Sequence, residues 1–280
     1  MSLKRKKVNI LGVPIDSFTR EQSLKFIEEK VASEKIVFIA TINAEFLFRA
    51  LSDPAVLGML KKSSLNFADG VGILWSAKFL SLTLPEKKFW RCFIGFIKLI
   101  SSLVAIILCP RYLKKPIPEK ISGSDFIWDL SRLAAKNNLS IFLLGGEPTV
   151  PEQVALKLQT DIYNLRVVGT YEGTPRIEDE GRITSIIKKN GADVLFVAYG
   201  VPAEEFWLER NLRKTGAMIG IGVGGTFNFL AGRRRRAPKF LQTIGLEWLW
   251  RLIIEPRRFR RQLALPKLVW RVFISKIKSS

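Results

Sequence analysis

Residues 193–230 read DVLFVAYGVPAEEFWLERNLRKTGAMIGIGVGGTFNFL, and this stretch decides the fold. Two near-continuous apolar runs, DVLFVAYG and AMIGIGVGG, flank a helical pattern, and each closes on glycine. Strands that are apolar on both sides must be covered on both faces, and strands joined through a helix run parallel. The unit recurs upstream. SIFLLGG from Ser140 leads into PEQVALKLQTDI from Pro151, and RVVGTYEG from Arg166 leads into EDEGRITSIIKKNG from Glu178. VNILGVPI, KIVFIAT and LNFA supply three more strand candidates. Thr19 and Gln22 have the spacing of a capping box for a helix through Val31. Ser122 or Ser124 opens GSDFIWDLSRLAAKNN, with Asn137 and Asn138 as its stop. The expected fold class is α/β: a Rossmann-like, mostly parallel sheet with helices on both faces, plus a basic helical C-terminal appendage. The expected division is an α/β domain over 1–232, carrying an apolar basic insert at 85–116, and the appendage over 233–280.

The net charge of +20 is concentrated. Residues 233–280 hold fourteen Lys and Arg against two Glu, and residues 85–116 hold seven against one. Both segments are laced with aromatic and aliphatic residues. Such a surface suits an anionic membrane, where negative charge meets hydrocarbon. No nucleic-acid-binding motif accompanies the charge, so nucleic acid is not an expected partner. The insert centres on FIGFIKLISSLVAIILC (93–109), at the lower edge of what spans a bilayer. Basic residues flank both of its ends, which gives no orientation. Gly95, Lys98, Ser102, Ala105 and Cys109 form a small-or-polar stripe at helical spacing. The stripe is expected to lie on protein with the wide apolar side on lipid. A buried core helix, a partner-protein interface and contact with a second copy remain alternatives. In the tail, Pro266 is expected to open a basic amphipathic helix, with Lys267 and Arg271 on one side and Leu268 and Val272 on the other.

The two cysteines, Cys92 and Cys109, form no CxxC and read as small buried hydrophobes. The start, MSLKRKKVNILG, lacks the apolar run of a signal peptide, so a cytoplasmic location is expected. There is no histidine. This excludes Ser-His-Asp triads and imidazole bases, and leaves acid–base work at neutral pH to carboxylates. Asp69, in NFADGVG, stands at a strand end, where a sheet presents catalytic groups; it also fits a turn or helix cap. Thr41 and Asn43 in TINAEF end another strand. Three strands run through glycine into helices, at Gly145–Gly146, Gly200 and Gly224–Gly225. These are either ordinary turns or a nucleotide or sugar-nucleotide site at the carboxyl edge.

The pieces TINAEF, ADGVG, EKISGSD, FLLGGEP, AYGVPAEEFW, GVGGTFNFLAG, RRAP and GLEWLWRLIIEPRR occur in that order. With them the chain resembles the WecG/TagA/CpsF glycosyltransferases, from about Val8 to Arg261. The glycine pieces are weak singly; RRAP with GLEW-x-x-RL-x-x-EP-x-R is specific. The resemblance implies an inverting transferase that needs neither metal nor cofactor. It would move an N-acetylhexosamine-type sugar from a UDP-sugar donor to a polyprenyl-diphosphate-linked sugar. The place would be the cytoplasmic face of the bacterial membrane, held peripherally or monotopically. A non-catalytic relative acting in polymer assembly is the alternative.

The resemblance also implies roles. Asp69 would be the general base, with Thr41 and Asn43 positioning the sugar or base. Lys120, Gly123, Gly145, Gly146, Glu147, Tyr199, Gly200, Pro202, Glu204, Glu205, Gly224, Gly225 and Asn228 would bind substrate. Arg236, Arg251 and Arg258 from the tail would neutralise the diphosphate. The chain departs from the family pattern at Ala203-Glu204 (usually Lys-Gln), at Asn228 (usually Asp) and at Lys120 (usually Arg).

Overall fold

Alternating side chains along each strand sort the helices onto two faces. The computed structural model describes residues 5–279, apart from the side chain of Arg258. A two-stranded antiparallel hairpin, β1 (Lys7–Ile10) and β2 (Val13–Asp16), precedes the main sheet. VNILGVPI is thus two strands and not one, because Leu11 and Gly12 both take positive φ and reverse the chain. The main sheet contains β3 (Val37–Ile42), β4 (Leu65–Ala68), β5 (Ser140–Gly145), β6 (Arg166–Tyr171), β7 (Val194–Ala198) and β8 (Ile219–Gly222). Its order is β4-β3-β8-β7-β5-β6, and every neighbouring pair is parallel.

On β3, Val37 and Ile39 enter one core with Ile141 and Leu143 of β5; Phe38, Ala40 and Ile42 enter the other with Phe142 and Leu144. The first core is covered by α1 (Arg20–Val31), α6 (Gly123–Lys136), α7 (Val150–Asp161) and α10 (Thr226–Leu230). The second is covered by α2 (Ala44–Ala50), α3 (Pro54–Lys62), α4 (Val71–Ser81), α5 (Lys88–Leu108), α8 (Glu180–Asn190) and α9 (Ala203–Thr215). The capping box at α1 forms as its spacing predicts, with Thr19 and Gln22 bonding reciprocally. The helix after β3 covers one face and the helix after β8 the other. The crevice between those two neighbouring strands is therefore a topological switch point, where open α/β sheets bind ligands.

The tail folds as α11 (Lys239–Thr243), α12 (Glu247–Ile254), α13 (Phe259–Gln262) and α14 (Ala264–Ser279). In α14, Leu268 and Val272 are buried in the second core, each contributing about 1.5–3 kcal/mol by leaving water. The apolar side expected to meet membrane thus packs on protein, because α2, α4 and α5 leave a groove that fits it. In α5 the stripe on protein is Gly95, Leu99 and Ser102, with Leu103 and Ile106 partly covered. Cys92 and Cys109 are exposed, not buried, since they sit at the two ends of that contact.

Candidate active site

The carboxyl ends of β3, β4, β7 and β8 surround a cleft of about 230 Å³, roofed by the tail. Its lining includes Thr41, Asn43, Asp69, Lys120, Gly123, Gly200, Glu204, Gly224, Gly225 and Arg251 from the sequence-based set.

Asp69 sits half-buried on the cleft floor. Its N–H donates to the Ile42 carbonyl at 2.9 Å, which ties the end of β4 to β3. The cap of α4 is Gly70, with φ of +118° and no side-chain hydrogen bond, so the Asp69 carboxylate is not used as a cap. Burial raises its pKa to about 6, helped by repulsion from Glu247 and opposed by Arg251 and Lys120. A carboxyl of that pKa is mostly ionised at neutral pH and still takes up a proton readily. Beside it, the Thr41 hydroxyl donates to the Gly222 carbonyl at 3.4 Å. Asn43 Oδ1 accepts from Phe46 N–H at 2.9 Å and caps α2, leaving its amide nitrogen for other contacts.

Glu247 gathers basic side chains at the cleft wall. Lys120 Nζ stands 3.8 Å from its carboxylate, Arg251 Nη2 3.8 Å and Arg236 Nε 3.7 Å. Arg236 also donates two hydrogen bonds to Asp125, at 2.6 and 2.8 Å. Burial resists ionisation of Asp125, but hydrogen bonds from Arg236 and Ser122 outweigh it and hold the pKa down at about 2. The Arg251 guanidinium lies 4.9 Å from the centre of the Phe229 ring. The tail therefore presents its charges from a fixed frame, which electrostatic stabilisation of a developing anion requires.

Glu204 has a structural task. Its Oε2 accepts from the N–H groups of Gly200 at 2.8 Å and Gly224 at 3.0 Å, so one carboxylate fixes the loops after β7 and β8. This is possible because α9 crosses close over β8: a Cβ on Gly222 would stand 2.9 Å from Glu204 Cγ. Burial pushes the pKa of Glu204 upward against those donors. Glu205, also buried, is pushed further, by burial and by the Glu204 charge.

Other sequence-based candidates fall outside the lining. Gly145 and Gly146 are packing glycines: a Cβ on Gly145 would come within 2.8 Å of the Ala198 backbone, and one on Gly146 within 3.3 Å of Val150. Glu147 is exposed beyond them. Tyr199, Pro202, Glu205, Asn228 and Arg236 do not line the cleft. The side chain of Arg258 lies outside the described residues. Conversely, Glu247, Trp248, Glu45 and Arg261 line the cleft. Glu247 and Trp248 stand in GLEW and Asp125 in EKISGSD, so the motifs held the signal without an assigned role for them.

A cleft at a switch point, with a carboxylate on its floor and Lys120 and Arg251 on its wall, marks an α/β protein with a ligand site at the carboxyl edge of its sheet. The chain matches the glycosyl transferase WecG/TagA/CpsF family over residues 8–92 and 102–280, and it belongs to that family. It is accordingly a glycosyltransferase, from a family that works in membrane-associated synthesis of cell-surface polysaccharide. The unmatched residues 93–101 fall within α5.

Proposed function

We propose that this chain transfers an N-acetylhexosamine-type sugar, N-acetylmannosamine or a relative, from a UDP-sugar to a polyprenyl-diphosphate-linked sugar. The reaction proceeds by direct, inverting displacement at the cytoplasmic face of the membrane. The observation that carries this reading is the free Asp69 carboxylate on the floor of a cleft with Lys120 and Arg251 on its wall. The acceptor hydroxyl oxygen bonds to the anomeric carbon as its proton passes to Asp69. The bond from that carbon to the β-phosphate oxygen breaks, and its electron pair leaves on UDP. Lys120 and Arg251, backed by Arg236, stabilise the charge gathering on the diphosphate, the work a divalent cation does elsewhere. Thr41 and the Asn43 amide orient the reacting sugar. The open loops at Gly200 and Gly225, where added Cβ atoms would meet nothing within 4 Å, let the nucleotide approach the backbone.

The test is a screen of UDP-sugars against a short-chain polyprenyl-diphosphate sugar, with chelator present and with Asp69→Asn as control. Turnover of one donor by the wild type, lost in the variant, is the expected result. Full turnover by Asp69→Asn would sink the base assignment. Failure of every UDP-sugar to bind a folded protein in calorimetry would sink the donor class.

A further inference from the structure

Helix α5 is, among the described residues, the one helix long and apolar enough to cross a membrane. Its 21 residues reach about 32 Å at 1.5 Å per residue, close to the hydrocarbon thickness of a bilayer. Length and composition therefore leave two seatings open: across the bilayer, or flat in one leaflet.

The connections at its two ends decide between them. Before α5, the chain leaves Asp69 on the cleft floor and runs through α4, whose Trp75 and Phe79 are buried in the core. After α5, Leu113 and Ile117 enter the same core, and Lys120 lines the same cleft. Both ends thus return to one folded body within a few residues. A helix crossing the bilayer would deliver its end to the far side, and residues 109–120 would have to return through hydrocarbon with unpaired backbone groups, which a bilayer does not accept.

The side contacts agree. Arg91 donates to the carbonyls of Pro85, at 3.1 Å, and Ile277, at 3.4 Å. Lys98 Nζ donates to the Thr83 carbonyl at 2.7 Å, and Trp75 Nε1 donates to Ser102 Oγ at 3.0 Å. Gly95 lies against Ile277 and Phe273 of α14. One side of the helix is thus fastened to α4 and α14 over several turns. Phe93, Ile97, Ile100 and Val104 point away from that side at helical spacing and are 47–54% exposed. They form an apolar stripe with Trp90 and Phe89 at one end and basic residues beyond both ends. Apolar stripe and basic ends together match an anionic leaflet.

We infer that α5 is an in-plane anchor, buried by its Phe93–Val104 stripe in the cytoplasmic leaflet of an anionic bilayer and not crossing it. This rests on the membrane association proposed above, but its test needs no sugar transfer, so failure of one leaves the other standing. The native cysteines report it. Cys92 and Cys109 mark the two ends of α5, are exposed, and fall off the apolar stripe.

In inverted membrane vesicles from cells making the full chain, a membrane-impermeant maleimide reaches only the cytoplasmic face. Single-cysteine variants Cys92→Ser and Cys109→Ser read each end separately. Both ends should label without permeabilisation; an end that labels only after detergent means a crossing helix and overturns the inference. As a second measure, Ile97→Asp with Val104→Asp should lower partition onto phosphatidylglycerol-containing vesicles at least tenfold, with an unchanged thermal transition. Unchanged partition overturns the inference, as does conversion of a dimer to a monomer with vesicle binding intact, which would give the stripe to a second copy.

Discussion

The two halves of the sheet's carboxyl edge look alike in sequence and differ in use. Strand β5 ends LLGG and strand β8 ends GVGG, each followed by a helix. At β5 the glycines answer to packing, because Gly145 lies against the β7 backbone and leaves no room for a Cβ. At β8, Gly225 faces open space in a cleft shared with Asp69 and Lys120. A glycine after a strand records only that a side chain does not fit or is not wanted. What occupies the place, a neighbouring strand or a ligand, depends on strand order.

That contrast is open to test. The largest effect belongs to the β4 end. Asp69→Asn should cut turnover by about 10³-fold, read by steady-state kinetics, since it removes the only base proposed. Wild-type turnover should fall as pH drops through about 6, where Asp69 takes up its proton. Stability runs the other way. A carboxyl with a raised folded pKa stabilises the fold below its unfolded pKa, and that stabilisation is lost as pH rises through the folded value. Asp69→Asn should therefore have the higher Tm at pH 8, with the gap closing below pH 4. Lower Tm for the variant at pH 8 would contradict the placement of Asp69 in a costly, preorganised site.

Next comes the β5 end. Gly145→Ala should cost about 2–4 kcal/mol of folding stability by denaturant titration, from the clash with Ala198 and from its φ of +97°. Nucleotide affinity of the folded fraction should be unchanged; a weakened affinity with normal stability would return Gly145 to the ligand site. Arg251→Ala should lower kcat about tenfold with little change in Tm, because its neighbours are charges at 3.8 Å and a ring face. The smallest effect is expected at Glu147. Glu147→Ala should alter stability by less than about 0.5 kcal/mol and leave nucleotide binding by calorimetry as it was.

The same lesson applies to the two basic amphipathic helices. Both α5 and α14 carry an apolar side and basic residues, and from sequence both read as membrane contacts. Helix α14 buries Leu268 and Val272 in the core, whereas α5 leaves Phe93, Ile97 and Val104 exposed. An apolar stripe needs to be covered, and sequence period alone does not say by what.

Apart from VNILGVPI, which folds as a hairpin and not as one strand, the strand pattern, the parallel sheet, the helix starts at Thr19 and Ser122, and the lack of histidine were legible in the sequence. Each follows from local rules: periodicity, capping and the inventory of side chains. Asp69 was legible as a candidate because it stands at a strand end. Its release from capping depended on Gly70 taking that place. The roles of Glu247, Asp125 and Glu204 were not legible, since each joins segments distant in the chain. Glu247 gathers Lys120, Arg236 and Arg251, and Glu204 binds the loops after β7 and β8. Sequence sets which groups are available and which local conformations they favour. Tertiary structure alone sets which charges share a cleft, because Coulombic coupling and burial depend on distances through space and not along the chain.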